Sequence, residues 1–232
     1  MNTQDFLELE YLRLDAYRLL ADSYHRPEPS LLDGTGKLKS CMEGICSEAG
    51  QYISSMQSDI AGLAGVGTIE VDYARLFVGP FNLMAPPYGS VYLEGERQVM
   101  GASTADVQMR YRAAGLDVDT GFKDAPDHVA AELEFMHFLI FKAMEAAGQG
   151  DADQVIACLT NQQSFLEIHL GAWIHEFADN VVKNAATSFY RNLARTTEIF
   201  IRNDYHVLTS VLTAWSSNSE KFAELESLCG QC

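Results

Sequence analysis

Apolar side chains recur every three or four residues along most of this chain, the period of helices buried on one face. Leu9, Leu12, Ala16, Leu19 and Leu20 share such a face in a first helix, which Thr3 is placed to cap and Pro27 and Pro29 stop. Residues 30–62 carry the same period in two shorter segments interrupted by glycines, and 62–67 reads as a loop. Thr68 predicts the cap of a helix with Glu70 and Asp72 in its first turn, where carboxylates suit the helix dipole. That helix ends at Gly79-Pro80. Ser103 to Asp106 predicts another start and Gly115 its stop, and 116–126 forms a second loop. Pro126 suits the first turn of the next helix, with Asp124 as its cap and Val129, Leu133, Met136, Ile140 and Met144 as its buried stripe. Asp151 opens a further helix. From Phe165 to Leu212 there is no proline and one glycine, Gly171, so the spacing predicts two or three long helices bent near that residue. The stripe there is Trp173, Phe177, Val181, Phe189, Leu193 and Phe200. No segment alternates as a strand bounded by hairpin signals, and Val91 to Leu93 is too short to build a sheet. The expected architecture is all-α: one helical bundle over residues 1–212, a long proline-rich uncharged loop within it, and a polar tail over 213–232.

The uncharged loop interrupts this pattern. LFVGPFNLMAPPYGSVYL, Leu76 to Leu93, runs 18 residues without a charge in a chain with 16 basic and 32 acidic side chains. Its length would allow a membrane helix, but Pro80, Pro86 and Pro87 each remove a helix hydrogen bond. A lipid-exposed irregular loop is not viable in a bilayer. As core, irregular backbone must satisfy its polar groups without regular ladders. As a recognition surface it makes sense: prolines hold an extended shape, and Phe81, Leu83, Met84, Tyr88 and Tyr92 offer contact area.

Composition narrows the function classes. An apolar fraction of 47% suits a folded domain. The formal net charge of −16 argues against general nucleic-acid binding, which depends on lysine and arginine meeting phosphates, and fits a basic partner. The amino-terminal MNTQDFLELEYLRLD lacks the basic and apolar regions of a secretory signal, and no segment reads as membrane-spanning, so a cytoplasmic location is the expectation. Five irregularly spaced cysteines do not form a secreted disulfide framework, and Cys229-Gly-Gln-Cys232 lacks the βαβ setting of a redox motif.

Candidate chemistry is sparse. Gly34-Thr-Gly-Lys37 has Leu31 where a phosphate loop needs its first glycine. Glu134 and His137 form one ExxH, half of a di-iron signature whose second copy the chain does not contain. Asp127-His128 reads either as a carboxylate favourable to a helix N-terminus with an imidazole beside it, or as a polar recognition point at a helix mouth.

DYARLFVGPFNLMAPPYGSVYLEGE resembles the signature of the TorD/DmsD family of cytoplasmic chaperones for molybdenum oxidoreductases. MGASTADVQMRYRAAGL, DAPDHVAAELEFMHFLI, FLEIHLGAWIHEFADNV and FYRNLARTTEIFI follow in the family's order, so the resemblance covers roughly residues 5–212. It implies an all-helical fold and no catalysis, and with the phosphate-loop and metal-ligand sets incomplete in the sequence no cofactor or metal is expected. The implied partner is an immature molybdoenzyme catalytic subunit with its twin-arginine signal peptide, held back from export until its cofactor is inserted. Carried over by residue, the binding surface comprises Leu76, Phe77, Pro86, Pro87, Tyr88, Asp127 and His128, to which Leu83 and Met84 are added as exposed apolar contacts. Some members carry tryptophan near Tyr73 or beside the loop prolines, where this chain has Tyr73 and Tyr88. Asp127 is expected to pair with a leader arginine. A di-iron enzyme and an adaptor for mature client domains are the rival readings, and monomer and homodimer both stay open.

Overall fold

The computed structural model describes residues 3–61, 65–79, 83–94, 99–116 and 124–229, and among them the chain forms eleven α-helices and one π-helical turn. The helices are α1 (Thr3–Ser23), α2 (Leu31–Ile45), α3 (Ser47–Gly50), α4 (Ile53–Ala61) and α5 (Gly65–Tyr73). The π-helical turn Ala74–Val78 continues α5. Then come α6 (Gly89–Leu93), α7 (Ala102–Ala113), α8 (Val129–Gln149), α9 (Ala152–Ile168), α10 (Leu170–Asn184) and α11 (Ser188–Cys229). No strand forms among the described residues; Tyr88 and His128 make an isolated antiparallel bridge. No helix there is long and apolar enough to cross a membrane.

The predicted stripes are the packed faces. Val129, Leu133, Met136 and Ile140 of α8 are fully enclosed, and α8 lies between α1 and α9. Trp173, Phe177 and Val181 of α10 meet α11, whose Phe189, Tyr190, Leu193 and Phe200 are buried. The bend falls where Gly171 predicted it. His169 (φ −119°, ψ −105°) breaks the run between α9 and α10. A Cβ at position 171 would stand 2.4 Å from the Leu166 carbonyl oxygen, so only glycine allows so close an approach. At the start of α9, Asp151 accepts from the Gln154 amide as predicted.

Several element boundaries differ from expectation. Residues 31–61 hold three helices instead of two, and Gly34 to Lys37 lie inside α2. Helix α5 is already formed at Gly65, so Thr68 does not cap it. Asp72 instead serves the start of α11: its carboxylate accepts from the Ala186 and Thr187 amides at 3.1 and 2.8 Å and from the Thr187 hydroxyl. Val91 to Leu93 belong to α6. Helix α8 begins at Val129 with His128 as its cap, leaving Pro126 and Asp127 in the preceding turn. Helix α11 continues through the expected tail as far as Cys229. Pro80 to Asn82, the loop residues 117–123 and the end of the Cys229–Cys232 motif lie outside the described residues.

The inward face of α1 carries charge that periodicity does not announce. Arg13 is enclosed and donates to Asp204 at 2.6 and 2.9 Å, to Glu10 at 2.6 Å and to Gln162 at 2.8 Å. The Tyr17 hydroxyl also donates to Asp204 at 2.8 Å. The network ties α1 to α9 and α11, and removing one partner would strand a buried charge.

Candidate functional site

The uncharged stretch begins inside the fold. The π-helical turn closes with the Gly79 amide on the Ala74 carbonyl at 2.7 Å, and leaves Leu76 and Phe77 buried while Val78 faces outward. The Phe77 ring lies 5.3 Å from Tyr190, 5.4 Å from Tyr73 and 6.0 Å from Phe177. Leu76 and Phe77 were expected on the binding surface; they are core. The apolar-rich segment supplies its own floor, because consecutive large side chains at a helix end gain more by burial than by exposure.

Residues 83–88 then pass over that floor, bent at Met84 and Ala85 and extended at Tyr88 (φ −124°, ψ 127°). Their backbone groups are satisfied across the chain: Ala85 N–H on the Leu76 carbonyl (3.2 Å), Val129 N–H on Pro87 (2.8 Å) and Gly89 N–H on Asp127 (2.9 Å). The Tyr92 hydroxyl donates to the Pro86 carbonyl at 2.9 Å. These bonds answer the objection to irregular backbone in the interior. Ala85, Pro86 and Pro87 are buried, Leu83 and Tyr88 half-buried, and Met84 is 42% exposed. Arg75 holds this edge in place. It pairs with Asp72, donates to the Asn184 carbonyl, and sets one guanidinium nitrogen 3.3 Å from the Met84 sulfur.

Asp127 and His128 are equally enclosed. Asp127 is 1% exposed, and its Oδ2 accepts from the Ser90 amide at 2.7 Å. The α6 N-terminus has amides without helical partners, and this carboxylate takes one of them. Asp127 therefore faces into the fold, where sequence reasoning aimed it at a leader arginine. His128 accepts from the Ala130 amide at 3.1 Å through Nδ1, which fixes the cap of α8. Burial lowers its pKa to about 4 against the opposing pull of Asp124, so the ring is neutral at physiological pH. The exposed carboxylate here is Asp124. It accepts from the Tyr88 hydroxyl at 3.0 Å, and the Tyr88 ring stands edge-on to His128 at 5.4 Å. Burial, then Asp124, raise the Tyr88 phenol above its ordinary range.

Neighbouring charges are mostly paired. Glu134 meets His25 at 2.9 Å, Arg26 meets Glu70, and His137 is 2.9 Å from the Leu14 carbonyl. The two ExxH residues thus serve separate contacts. Among the described residues no group of three or more His, Cys, Asp or Glu is placed to hold a metal. What the arrangement offers is a held apolar edge of Val78, Leu83, Met84 and Tyr88 beside acidic side chains.

Residues 43–179 match the family model described as the nitrate reductase delta subunit, more than half of the chain. The chain belongs to the TorD/DmsD family. It is 26% identical over 144 residues to the chaperone protein TorD of Vibrio cholerae serotype O1, covering 62% of this chain and 64% of that one. It is 25% identical over 185 residues to TorD of Vibrio parahaemolyticus, covering 79% and 82%. It is 28% identical over 123 residues to the Tat proofreading chaperone DmsD of Salmonella typhimurium, covering 53% of each. The chain thus spans just under two thirds of the Vibrio cholerae protein. The TorD/DmsD relatives are named chaperones, not enzymes. The matched span includes the loop, the Asp127–His128 turn and Trp173, and ends before α11.

Sequence reasoning missed Ser90, Arg75 and Trp173 as parts of this arrangement. Trp173 carried a signal that periodicity hides. It is a stripe residue with an N–H, and a buried indole N–H needs an acceptor.

Proposed function

We propose that this chain is a cytoplasmic maturation chaperone for a molybdenum oxidoreductase. It takes the twin-arginine signal peptide of the immature catalytic subunit along the edge formed by Leu83 to Tyr88 and the turn 124–128, delaying export until the cofactor is inserted. The observation that carries this reading is the combination of exposed Val78 and Met84, on a stretch whose backbone is tied down at both ends, with exposed Asp124 in the turn that meets it. A twin-arginine leader joins a basic pair to an apolar stretch, and this edge offers a complement to each. The names of the TorD and DmsD relatives support the same role.

Roles divide by exposure. Leu83, Met84 and Tyr88 contact the leader, and Asp124 receives an arginine. Leu76, Phe77, Pro86, Pro87, Asp127 and His128 build the surface from beneath. Calorimetric titration of the purified chain with a synthetic leader tests this, beside a leader carrying glutamines for both arginines. The arginine leader binds more tightly, and Asp124→Asn weakens it while leaving the glutamine leader unchanged, because a double-mutant cycle isolates the shared contact. Equal binding of both leaders would remove the arginine contact, and binding of the client without its leader but of neither leader would favour an adaptor for mature domains.

A further inference from the structure

Trp173 and Glu132 meet beneath the uncharged loop. Trp173 Nε1 donates to Glu132 Oε2 at 3.0 Å, and both residues are enclosed, at 1% and 0% exposure. A Cβ at position 89 would stand 2.8 Å from that indole nitrogen, so Gly89 lets the loop backbone rest against the ring. Tyr92 stacks on the indole face (5.5 Å, 14°) and its hydroxyl holds the Pro86 carbonyl. A continuous set of contacts therefore runs from α8 through α10 to the backbone of Pro86 and Gly89.

The surroundings of Glu132 decide its protonation. The titratable groups facing it are Asp127 from the turn before α8, whose charge makes a second negative charge harder to hold, and Tyr111 from α7, whose phenol is kept neutral by burial. His169, between α9 and α10, turns to Asp106 at 2.6 Å. Glu132 Oε1 and Asp127 Oδ1 are buried without a hydrogen-bond partner among the described residues. A carboxylate enclosed with one neutral donor and an acidic neighbour is costly as an anion. Burial, with Asp127 adding to it and the Trp173 bond opposing, raises the Glu132 acid well above the ordinary carboxyl range.

We infer that Glu132 is a neutral acid that orients Trp173, and that the two are positioning residues for the loop edge formed by 83–93. The consequence for client affinity rests on the leader-binding reading above; the positioning itself does not. The sign follows from proton counting. An unfolded glutamate titrates near ~4.3, so above that pH the unfolded chain binds fewer protons than the fold at this site. The stability Glu132 contributes is present below that value and falls as pH rises toward the folded pKa.

The full chain without client serves for the test, by melting and by hydrogen exchange of the 83–93 amides corrected for intrinsic rates, at about pH 6 and about pH 9. Glu132→Gln keeps an oxygen for the indole N–H and carries no proton to lose. Its melting temperature should exceed that of the unaltered chain by a margin that grows with pH. Trp173→Phe should speed exchange over 83–93 on the order of tenfold at about pH 6 while α11 stays protected. A constant margin across pH would overturn the neutral acid, and unchanged 83–93 exchange in Trp173→Phe would overturn the positioning role. Should Trp173→Phe not fold, Glu132→Gln decides alone: exchange over 83–93 that rises with pH in the unaltered chain but not in the variant supports the inference, and equal profiles sink it. A separate leader titration on the unaltered chain distinguishes the readings, since a loop that responds as described in a chain that binds no leader would remove only the leader-binding reading.

Discussion

Phe77 and Met84 lie seven residues apart in one uncharged stretch, and the structure buries the first while leaving the second exposed. Phe77→Ala opens the aromatic cluster of Tyr73, Phe177 and Tyr190, and is expected to cost about 3–5 kcal/mol in chemical denaturation. Met84→Ser should leave melting nearly unchanged and weaken leader binding by roughly 1 kcal/mol or more if Met84 is a hot spot. A stability loss at Met84 with unaltered affinity would place it with the core. Asp127 behaves as an internal acceptor. Asp127→Asn keeps an oxygen for the Ser90 amide and should act mildly, whereas Asp127→Ala strands that amide at a cost of about 1–3 kcal/mol. His128 adds a pH dependence. Its imidazole titrates near ~6.5 when unfolded and at about 4 in the fold. Between those values the unfolded chain binds more protons, so stability falls as pH drops through the window. Burial lowers the pKa of His169 as well, and it acts in the same direction. His128→Asn, which can still cap α8, should flatten part of that acid slope in a melting series; an unchanged slope would mean that His128 does not titrate there.

At the scale of elements, the legible features were those with a local cause. The stripes of α8, α10 and α11 are visible because one face of each is apolar, Asp151 caps as its side chain allows, and Gly171 marks the elbow. Charged residues placed inward were not legible: Glu10 and Arg13 occupy the buried face of α1 only because Asp204 and Gln162, far along the chain, meet them there. The loop was misread for a similar reason. Its sequence shows that it lacks charge but not that the Leu76 carbonyl receives the Ala85 amide within the stretch, nor that the Pro87 and Asp127 carbonyls receive amides exchanged between the stretch and the start of α8, which is what lets half of it be interior. Asp72 belongs to the same class, since a helix-interior carboxylate gives no hint that it caps another helix. Burial opposes its ionisation, but the Thr187 and Ala186 amides and Arg75 outweigh it and lower its pKa. Asp72→Ala should therefore cost about 1–2 kcal/mol in denaturation, through loss of an N-terminal acceptor for α11. No loss would show that Arg75 and the loop hold that junction without it.

For the molecule as a whole, charge and rigidity act together. A net charge of −16 favours a basic partner before contact, so under the proposed reading the association rate of a leader should fall as salt rises while the apolar contacts set the dissociation rate. Salt-independent association would remove charge from the encounter. The edge proposed for the leader is held by the π-helical turn on one side and by the turn before α8 on the other, backed by Trp173. Under the proposed function the client leader lies on this edge and nowhere else on the bundle. Hydrogen exchange of the full chain with and without a saturating twin-arginine leader reads it directly. Slowed exchange should be confined to residues 83–93 and the turn 124–128, with the amides around the cleft between Leu166, Ile174 and Tyr205 unchanged. Slowed exchange at that cleft with none over 83–93 would contradict it.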